Sequence, residues 1–195
     1  ETSVIDLKEW LLEADDLIAG YIQKYPEDEH ILISSDKDYI QLLKKNNLSI
    51  IDPASKNSRS LEDWDDDPDY FMFEKCFRGD ASDNVMSAYP RLRSSKIREA
   101  YKDPYVLENV MNNEFTALIN LDSGDVVEKK YLTRDVFDEN SLLMNLTAQP
   151  EYIRELMDSS IEKSINNRSK FNYFKFLKFC GKHELKNIMD NIDTL

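Results

Sequence analysis

The chain has 195 residues, 41% of them hydrophobic, so it is long enough to bury a core and too apolar for a disordered tail. Its 38 acidic and 25 basic residues give a net charge of −13, which weighs against nucleic-acid binding unless cations neutralise clustered acids. The scarce glycines exclude a glycine-rich phosphate loop, the two distant cysteines argue for reduced cytosolic thiols rather than zinc, and no apolar run approaches membrane-spanning length.

The first fifty residues alternate between helical and strand patterns. Apolar side chains at three- and four-residue steps predict an amphipathic helix over 7–25, which Pro26 ends. The apolar run 30–34 predicts a strand buried on both faces, and a second strand is expected at 48–52 after a helix at 39–44. This order predicts an α/β fold with a parallel sheet.

The rest of the chain is mostly helical by pattern. An acidic segment at 62–69 reads as a solvated loop, and Pro68 suits the first turn of a helix that reaches Phe77. The stretch 115–122 is ambiguous between helix and strand. Further helices are predicted at 94–102 (capped by Ser94 or Ser95), 105–113, 151–166 and 170–192, the last divided by Gly181.

Carboxylates are grouped in three places. The first group lies inside the predicted helix over 7–25, where Glu13 and Asp16 would share a face and Asp15 would point elsewhere. For any one group, a solvated surface is the more common explanation. The helix pattern alone therefore favours Asp16 over Asp15 as the partner of Glu13.

The other two groups follow a predicted strand and a predicted helix. Asp36 and Asp38 come directly after the apolar strand, and in extended geometry both would project from the carboxyl end of the sheet. Asp80 and Asp83 follow Gly79, a candidate helix cap. Crowded carboxylates repel one another, and all-oxygen ligands suit Mg²⁺ or Mn²⁺. Two such ions would activate water for phosphodiester hydrolysis.

Three segments, in this order, carry a resemblance to a known family. They are Glu-Ala-Asp-Asp-Leu-Ile-Ala from Glu13, Ile-Ser-Ser-Asp-Lys-Asp-Tyr-Ile-Gln-Leu from Ile33, and Arg-Gly-Asp-Ala-Ser-Asp-Asn-Val from Arg78. Together they resemble the 5′-nuclease (flap endonuclease) superfamily, and within it most of all the ribonucleases H of T-even-type bacteriophages. The resemblance implies a PIN-like (Rossmann-like) α/β core, here partial, in residues 1–72. It also implies a helix-three-turn-helix DNA-binding module at 73–115 and a C-terminal helical region at 116–195.

The same resemblance implies a role for each acid. Glu13 and Asp15 would bind a first Mg²⁺ or Mn²⁺, and Asp36 would lie close to both ions. We follow the resemblance, rather than the helix pattern, in choosing Asp15. A second ion would be served by Asp38, Asp80 and Asp83, with Asp16 as an outer-shell acid. The implied activity is a two-metal 5′→3′ exonuclease and flap endonuclease, with ribonuclease H-like removal of RNA primers as a candidate role.

The sequence departs from the family pattern in two places. Residues 1–12 lack the apolar strand ending in Asp and the basic arch that the family carries, so we expect part of an active site and little activity from this chain alone. The segment after Asn84 has no glycine, which argues against the family's potassium site.

Two groups of basic residues are candidate phosphate contacts, although solvated surface positions remain an equal alternative. One surrounds the predicted helix at 94–102 and the other lies near the C-terminus, where neighbouring aromatics are expected to be core. The candidates are Arg91, Arg93, Lys96, Arg98, Lys102, Lys175, Lys178 and Lys182.

These expectations imply DNA or RNA/DNA with 5′ ends or flaps as substrate. A sliding clamp and a single-strand-binding protein are candidate partners, and the protein is expected to be a cytoplasmic monomer, in a bacterial host if phage-encoded. Two alternatives stay open: a branched-DNA-binding relative that does not cut, and a PIN-type RNA-processing nuclease. A pure binder would gain nothing from a repulsive carboxylate cluster, which favours the enzyme.

Overall fold

The fold is taken from a computed structural model, which describes residues 5–43, 47–120, 124–167 and 172–190. Within these ranges the chain is mixed α/β, with one parallel and one antiparallel two-stranded sheet among eight α-helices. No described helix is both long and apolar enough to cross a lipid bilayer.

The first helix is shorter than its sequence pattern predicts. Helix α1 spans Ala14–Lys24, and Glu13 precedes it in extended conformation as the N-cap residue. Trp10 and Leu11 are 87% and 77% exposed, so their periodic spacing does not mark a buried helix face. The prediction of a helix over 7–25 is therefore wrong for its first turns.

The two predicted strands are confirmed as a parallel pair. Strand β1 (His30–Ile33) pairs with β2 (Leu48–Ile51) in a register that sets Leu32 beside Ile50. A 3₁₀ helix at Asp38–Leu42 lies between them, where an α-helix over 39–44 was expected; Lys44 is outside the described residues. The α/β class with a parallel sheet holds.

The expectation that β1 is buried on both faces is wrong. Ile31 and Ile33 are 64% and 68% exposed, whereas Ile50 on β2 is buried. Leu32 packs against the core formed by α1 and the 3₁₀ helix. Only one face of this small sheet is covered by the described residues.

The central helices agree well with the sequence patterns. Helix α2 (Pro68–Arg78) has Pro68 in its first turn, as predicted, and the Asp67 carboxylate accepts from the Asp69 backbone N–H at its start. Helix α3 (Ser94–Lys102) has the predicted bounds, but its cap residue is Arg93, so neither serine caps it. Helix α4 (Pro104–Met111) follows.

An antiparallel hairpin interrupts the region expected to be helical. Strands β3 (Glu114–Asn120) and β4 (Val126–Leu132) pair along their full length, and α5 (Thr133–Met144) follows directly. The ambiguous stretch 115–122 is therefore strand wherever it is described. Neither β4 nor α5 was predicted. Strand β4 is mostly exposed and has no alternation of apolar and polar residues that would indicate a strand.

The last helices divide close to the expected place. Helix α6 spans Glu151–Asn166, as predicted. The C-terminal segment forms α7 (Tyr173–Lys182) and α8 (Lys186–Asp190), so the break falls after Lys182 and Gly181 lies inside α7. The Asn172 side chain fixes the start of α7 by accepting from the Lys175 backbone N–H at 2.9 Å.

Helix α2 contributes to both main apolar clusters. Phe71 belongs to the cluster that holds α1, the small parallel sheet and the 3₁₀ helix. Tyr70 and Phe77 belong to a second cluster with α3, α4 and α5. Trp64 packs against both clusters, so the two halves of the described structure share one continuous apolar interior.

A buried amide joins the 3₁₀ helix to the end of α5. Gln41 is 2% exposed; its Nε2 donates to the Met144 carbonyl at 3.1 Å, and its Oε1 accepts from the Leu146 N–H at 2.9 Å. Both backbone groups would otherwise be buried without a partner. Gln41 therefore fixes the position of the chain that follows α5.

We expect Gln41→Leu to lower the free energy of unfolding by roughly 2–4 kcal/mol, because two buried backbone groups lose their hydrogen bonds. Urea denaturation of both proteins measures the difference. Gln23→Leu is the matched control, since Gln23 is exposed and its amide forms only part-buried hydrogen bonds, to the Ala19 and Leu146 carbonyls. Equal losses in the two variants would contradict the role given to Gln41.

Candidate metal centre

Six of the seven singled-out acids line one cavity of about 670 Å³. They come from three distant segments of the chain, and the lining also includes Leu143 and Met144 of α5 and Leu146, which follows it. The sequence motifs are therefore neighbours in space. The acids are Glu13, Asp15, Asp36, Asp38, Asp80 and Asp83.

Asp16 is the seventh acid, and it does not line the cavity. Its Oδ2 accepts from the Glu13 backbone N–H at 3.2 Å, and its Oδ1 accepts from Gln149 Nε2 at 2.6 Å. The argument that Glu13 and Asp16 share a helix face fails because Glu13 precedes α1. Glu13 and Asp15 line the cavity, and the first-metal role that the resemblance gives them stays a prediction. An outer-shell role for Asp16 stays a prediction.

A tight turn, rather than an extended strand, brings Asp36 and Asp38 to the cavity. The Asp36 carboxylate accepts from the Asp38 backbone N–H at 2.9 Å, and the Asp36 N–H donates to Ser34 Oγ at 3.1 Å. The expected alternation of extended residues is therefore wrong. The turn nevertheless delivers both carboxylates beyond the carboxyl end of β1.

Gly79 makes the turn that presents Asp80 and Asp83. It has φ of 66°, and a Cβ at this position would lie 2.4 Å from the Val85 carbonyl oxygen. Asp80 and Val85 exchange backbone hydrogen bonds of 2.9 and 2.8 Å, and the Ser82 N–H donates to the Asp80 carboxylate at 2.9 Å. The loop is thus closed at its base with its acids on the cavity side.

Asp38, Asp80 and Asp83 converge most closely. One carboxylate oxygen from each lies within 4.8 Å of the other two. The resemblance assigns this same trio to the second metal ion. An all-carboxylate donor set fits a hard divalent cation such as Mg²⁺ or Mn²⁺ and is unsuited to zinc. Of the described residues, Glu13, Asp15 and Asp36 do not form a second group of this kind.

Lys75 belongs to the site, and the sequence reasoning missed it. Its ammonium pairs with the Asp38 carboxylate and lies 3.5 Å from Asp80. The lysine is largely buried in the last turn of α2, just before the Gly79 turn. The sequence could have indicated this role, because a lysine in the last turn of a predicted helix lies close to the acids that follow the helix. Lys75 partly neutralises two of the three converging carboxylates.

Burial and mutual repulsion disfavour charge in the cavity. Burial raises the pKa of Asp15, and the nearby Asp16 and Asp36 charges add to this effect. Burial also raises the pKa of Asp38, although its hydrogen bond with Lys75 acts in the opposite direction. A divalent cation would relieve the cost that these shifts record.

The pKa values of Asp80 and Tyr39 are also shifted, in opposite directions. The hydrogen bond from Ser82 lowers the pKa of Asp80, so this carboxylate stays ionised. Burial, together with the Asp15 and Asp36 charges, raises the pKa of Tyr39 to about 12, which keeps its phenol protonated at physiological pH. Tyr39 does not line the cavity, but the charges of the cavity acids reach it.

The acidic loop at 62–69 is not simply solvated, because it pairs with α3. Asp65 accepts from Arg98 at 2.7 Å and from Lys102 at 3.1 Å. Lys96 pairs with Glu99 at 3.0 Å. Three of the predicted phosphate contacts therefore already have carboxylate partners.

The other predicted phosphate contacts have no carboxylate partner among the described residues. Arg91 and Arg93, which precede α3, form no ion pair with another described residue, and neither do the three lysines of α7. On α7 the expected inward stripe is confirmed for Phe176, Leu177 and Cys180, which are partly or fully buried, whereas Tyr173 is 45% exposed.

Asp83→Asn should weaken Mn²⁺ binding by at least about 10-fold, because it removes a charged donor from the converging trio. Isothermal titration of the metal-free protein measures the affinity, and the thermal midpoint should rise with Mn²⁺ only where binding survives. Glu155→Gln, which changes an exposed acid on α6, is the control. Unchanged affinity in Asp83→Asn would contradict the assignment.

Lys75→Gln should have opposite effects in the two states of the site. Without metal, the acids lose their cation, and the thermal midpoint should fall by about 2–8 °C. With Mn²⁺, the affinity should rise, because the ammonium no longer competes for Asp38 and Asp80. Scanning calorimetry in EDTA and in Mn²⁺ tests both, with the exposed Lys37→Gln as control. A more stable metal-free variant would refute this account of Lys75.

No known protein-family model matches the chain. Over 78 residues the chain is 38% identical to a curated protein named 5′-3′ exonuclease from Mycoplasmopsis pulmonis (strain UAB CTIP). The matched part is 37% of this chain and 26% of the relative, so the chain spans about a quarter of that relative's length. The chain is therefore similar to part of a protein named 5′-3′ exonuclease.

Proposed function

We propose that this chain carries the second-metal half of a divalent-metal-dependent, structure-selective 5′-nuclease. The observation that carries the proposal is the convergence of six carboxylates from three sequence segments on one cavity. The similarity to a named 5′-3′ exonuclease supports the same activity. The substrates would be DNA and RNA/DNA with 5′ ends or flaps.

The trio of Asp38, Asp80 and Asp83 would hold Mg²⁺ or Mn²⁺. When bound, the cation supplies Lewis-acid stabilisation of the phosphate charge and of the leaving oxygen. Lys75 orients Asp38 and Asp80 by pairing with both. The donor set fits the ion, which supports metal-dependent hydrolysis over covalent catalysis.

Residues around the cavity position the acids that line it. Asp16 bonds the Glu13 backbone N–H and Gln149 bonds Asp16, so this network fixes the start of α1 and with it the Glu13 and Asp15 carboxylates. The apolar side chains at the end of α5 limit water on one side of the cavity, which strengthens electrostatic interactions with a bound phosphate.

A PIN-like core in residues 1–72 and a helix-three-turn-helix module at 73–115 are parts of the same proposal. The short helices α3 and α4, with Arg91 and Arg93 before them, supply a surface suited to backbone phosphates. Arg98 and Lys102 would contribute only if phosphate displaced Asp65. Lys96 is likewise held by Glu99.

A non-cutting, branched-DNA-binding relative is the weaker alternative. Binding alone needs no cluster of repelling acids, and the raised pKa values of Asp15 and Asp38 show that this cluster is costly to keep charged. The cost is understandable where the acids hold catalytic cations.

The test is Mg²⁺-dependent cleavage of a labelled 5′-flap substrate by the full-length protein. We expect Asp36→Asn to reduce the rate by at least about 100-fold, because Asp36 lines the cavity and its charge acts on both Asp15 and Asp38. Asp28→Asn, an exposed acid outside the cavity, is the control. A rate unchanged by Asp36→Asn would refute the two-metal mechanism, whereas flap binding without any Mg²⁺-dependent cleavage would favour the non-cutting relative.

A further inference from the structure

Helix α7 presents a mixed aromatic and basic face to solvent. Its inward side carries Phe176, Leu177 and Cys180. At about 100° per residue, the three lysines fall in the middle of the outward arc, with one phenylalanine on each flank. We call this the α7 lysine face; it comprises Phe174, Lys175, Lys178, Phe179 and Lys182, all exposed.

The phenylalanines of this face are left in water. Phe174 is 81% exposed and Phe179 is 53% exposed, although α7 already has an inward apolar stripe. Single exposed apolar residues are common, but two rings that flank a charged stripe form an ordered pattern. Each phenylalanine has a neighbouring ring: the centroids of Phe179 and His183 lie 4.4 Å apart, and those of Phe174 and Tyr173 lie 6.1 Å apart.

The lysines of this face have no acidic neighbour on their own helix. The chain has a net charge of −13, and several basic side chains elsewhere, such as Lys24 and Arg98, pair with acids, although Arg91 and Arg93 do not. The three lysines of α7 make no ion pair with any described residue, and α7 itself contains no acid. An isolated positive stripe on an acidic protein is complementary to a polyanion.

We propose that the α7 lysine face binds single-stranded nucleic acid, with phosphates on the lysines and bases stacked on Phe174 and Phe179. This inference rests on the proposed function, since a nuclease that acts on branched substrates meets a single-stranded arm. Stacking of bases on aromatic rings, combined with lysine contacts to the backbone, is the general mode of sequence-tolerant single-strand binding.

Single-stranded nucleic acid fits this face better than duplex or membrane. In a duplex the bases are stacked inside the helix, and their faces cannot reach exposed phenyl rings. A helix that lies on a membrane needs a continuous apolar face beside its charges. Here the lysine stripe separates Phe174 from Phe179, so no outward apolar face is continuous.

The first test measures binding of the full chain to fluorescent oligothymidylate by anisotropy, in EDTA so that no metal-dependent cleavage occurs. Phe174→Leu and Phe179→Leu should each weaken binding by roughly 5- to 150-fold, the range for loss of one stacked base. Affinity for a blunt duplex of equal length should stay the same. Tyr152→Leu, which changes an exposed aromatic on α6, is the matched control and should bind oligothymidylate normally.

The second test uses salt. Replacing Lys175, Lys178 and Lys182 by Gln should lower the slope of log affinity against log salt by about 2, because three contacts to a single strand are lost. The pair Lys129→Gln and Lys130→Gln, on exposed positions of β4, should leave the slope unchanged. An unchanged slope in the α7 triple variant would overturn the proposal.

Two further results would also overturn it. The first is that neither Phe174→Leu nor Phe179→Leu reduces the affinity for oligothymidylate. The second is that these variants lose binding to phosphatidylserine vesicles but still bind the oligonucleotide. The flap-cleavage assay is read separately. If Asp36→Asn cleaves normally, the two-metal mechanism fails while the anisotropy result still decides the role of α7.

Discussion

Repulsion among the carboxylates of one cavity is the constraint on which the rest of the structure depends. Two unit charges at 4.8 Å repel by roughly 3 kcal/mol at an effective dielectric constant of about 20, and the cavity holds six acids. Lys75 offsets part of this repulsion by pairing with Asp38. Asp16 adds no carboxylate to the cavity, because its oxygens accept hydrogen bonds from the Glu13 backbone N–H and from Gln149. Because no described basic residue other than Lys75 pairs with the trio, a divalent cation is the simplest agent that completes the neutralisation.

Helix α2 links this cavity to the apolar interior. Phe71 packs in one cluster and Phe77 in the other, so the helix cannot shift without disturbing both. The same helix holds Lys75 against Asp38, and it ends at Gly79, whose positive φ sends the chain toward Asp80. The geometry of the acids is therefore a consequence of core packing, and changes in the core at α2 will be felt at the cavity.

The sequence predicted the parts of the fold that local chemistry decides. Pro68 at the start of α2, Gly79 at its end and the apolar run of β1 act within a few residues, and each lies where it was expected. Features that depend on distant partners were missed. Trp10 and Leu11 have helical spacing but no surface to cover them, and Lys75 gains its role only because a turn after β1 brings Asp38 to it. The three acid motifs, although far apart in the sequence, line one cavity, and the metal-binding roles that the resemblance implies for them stay a prediction.

The basic residues of α3 and of α7 differ in whether an acid already pairs with them. Around α3, Asp65 already pairs with Arg98 and Lys102, so the substrate of the proposed nuclease would have to compete with Asp65 for them, and binding there would depend on the shape and charge density of the substrate. On α7 the lysines have no such competitor among the described residues and can attract phosphate without selection. Under the two proposals, α7 would bind a single-stranded arm weakly and without sequence preference, whereas the basic residues near α3 would bind only a substrate that displaces Asp65. The structure of the substrate, rather than affinity alone, would then determine which nucleic acid reaches the carboxylates.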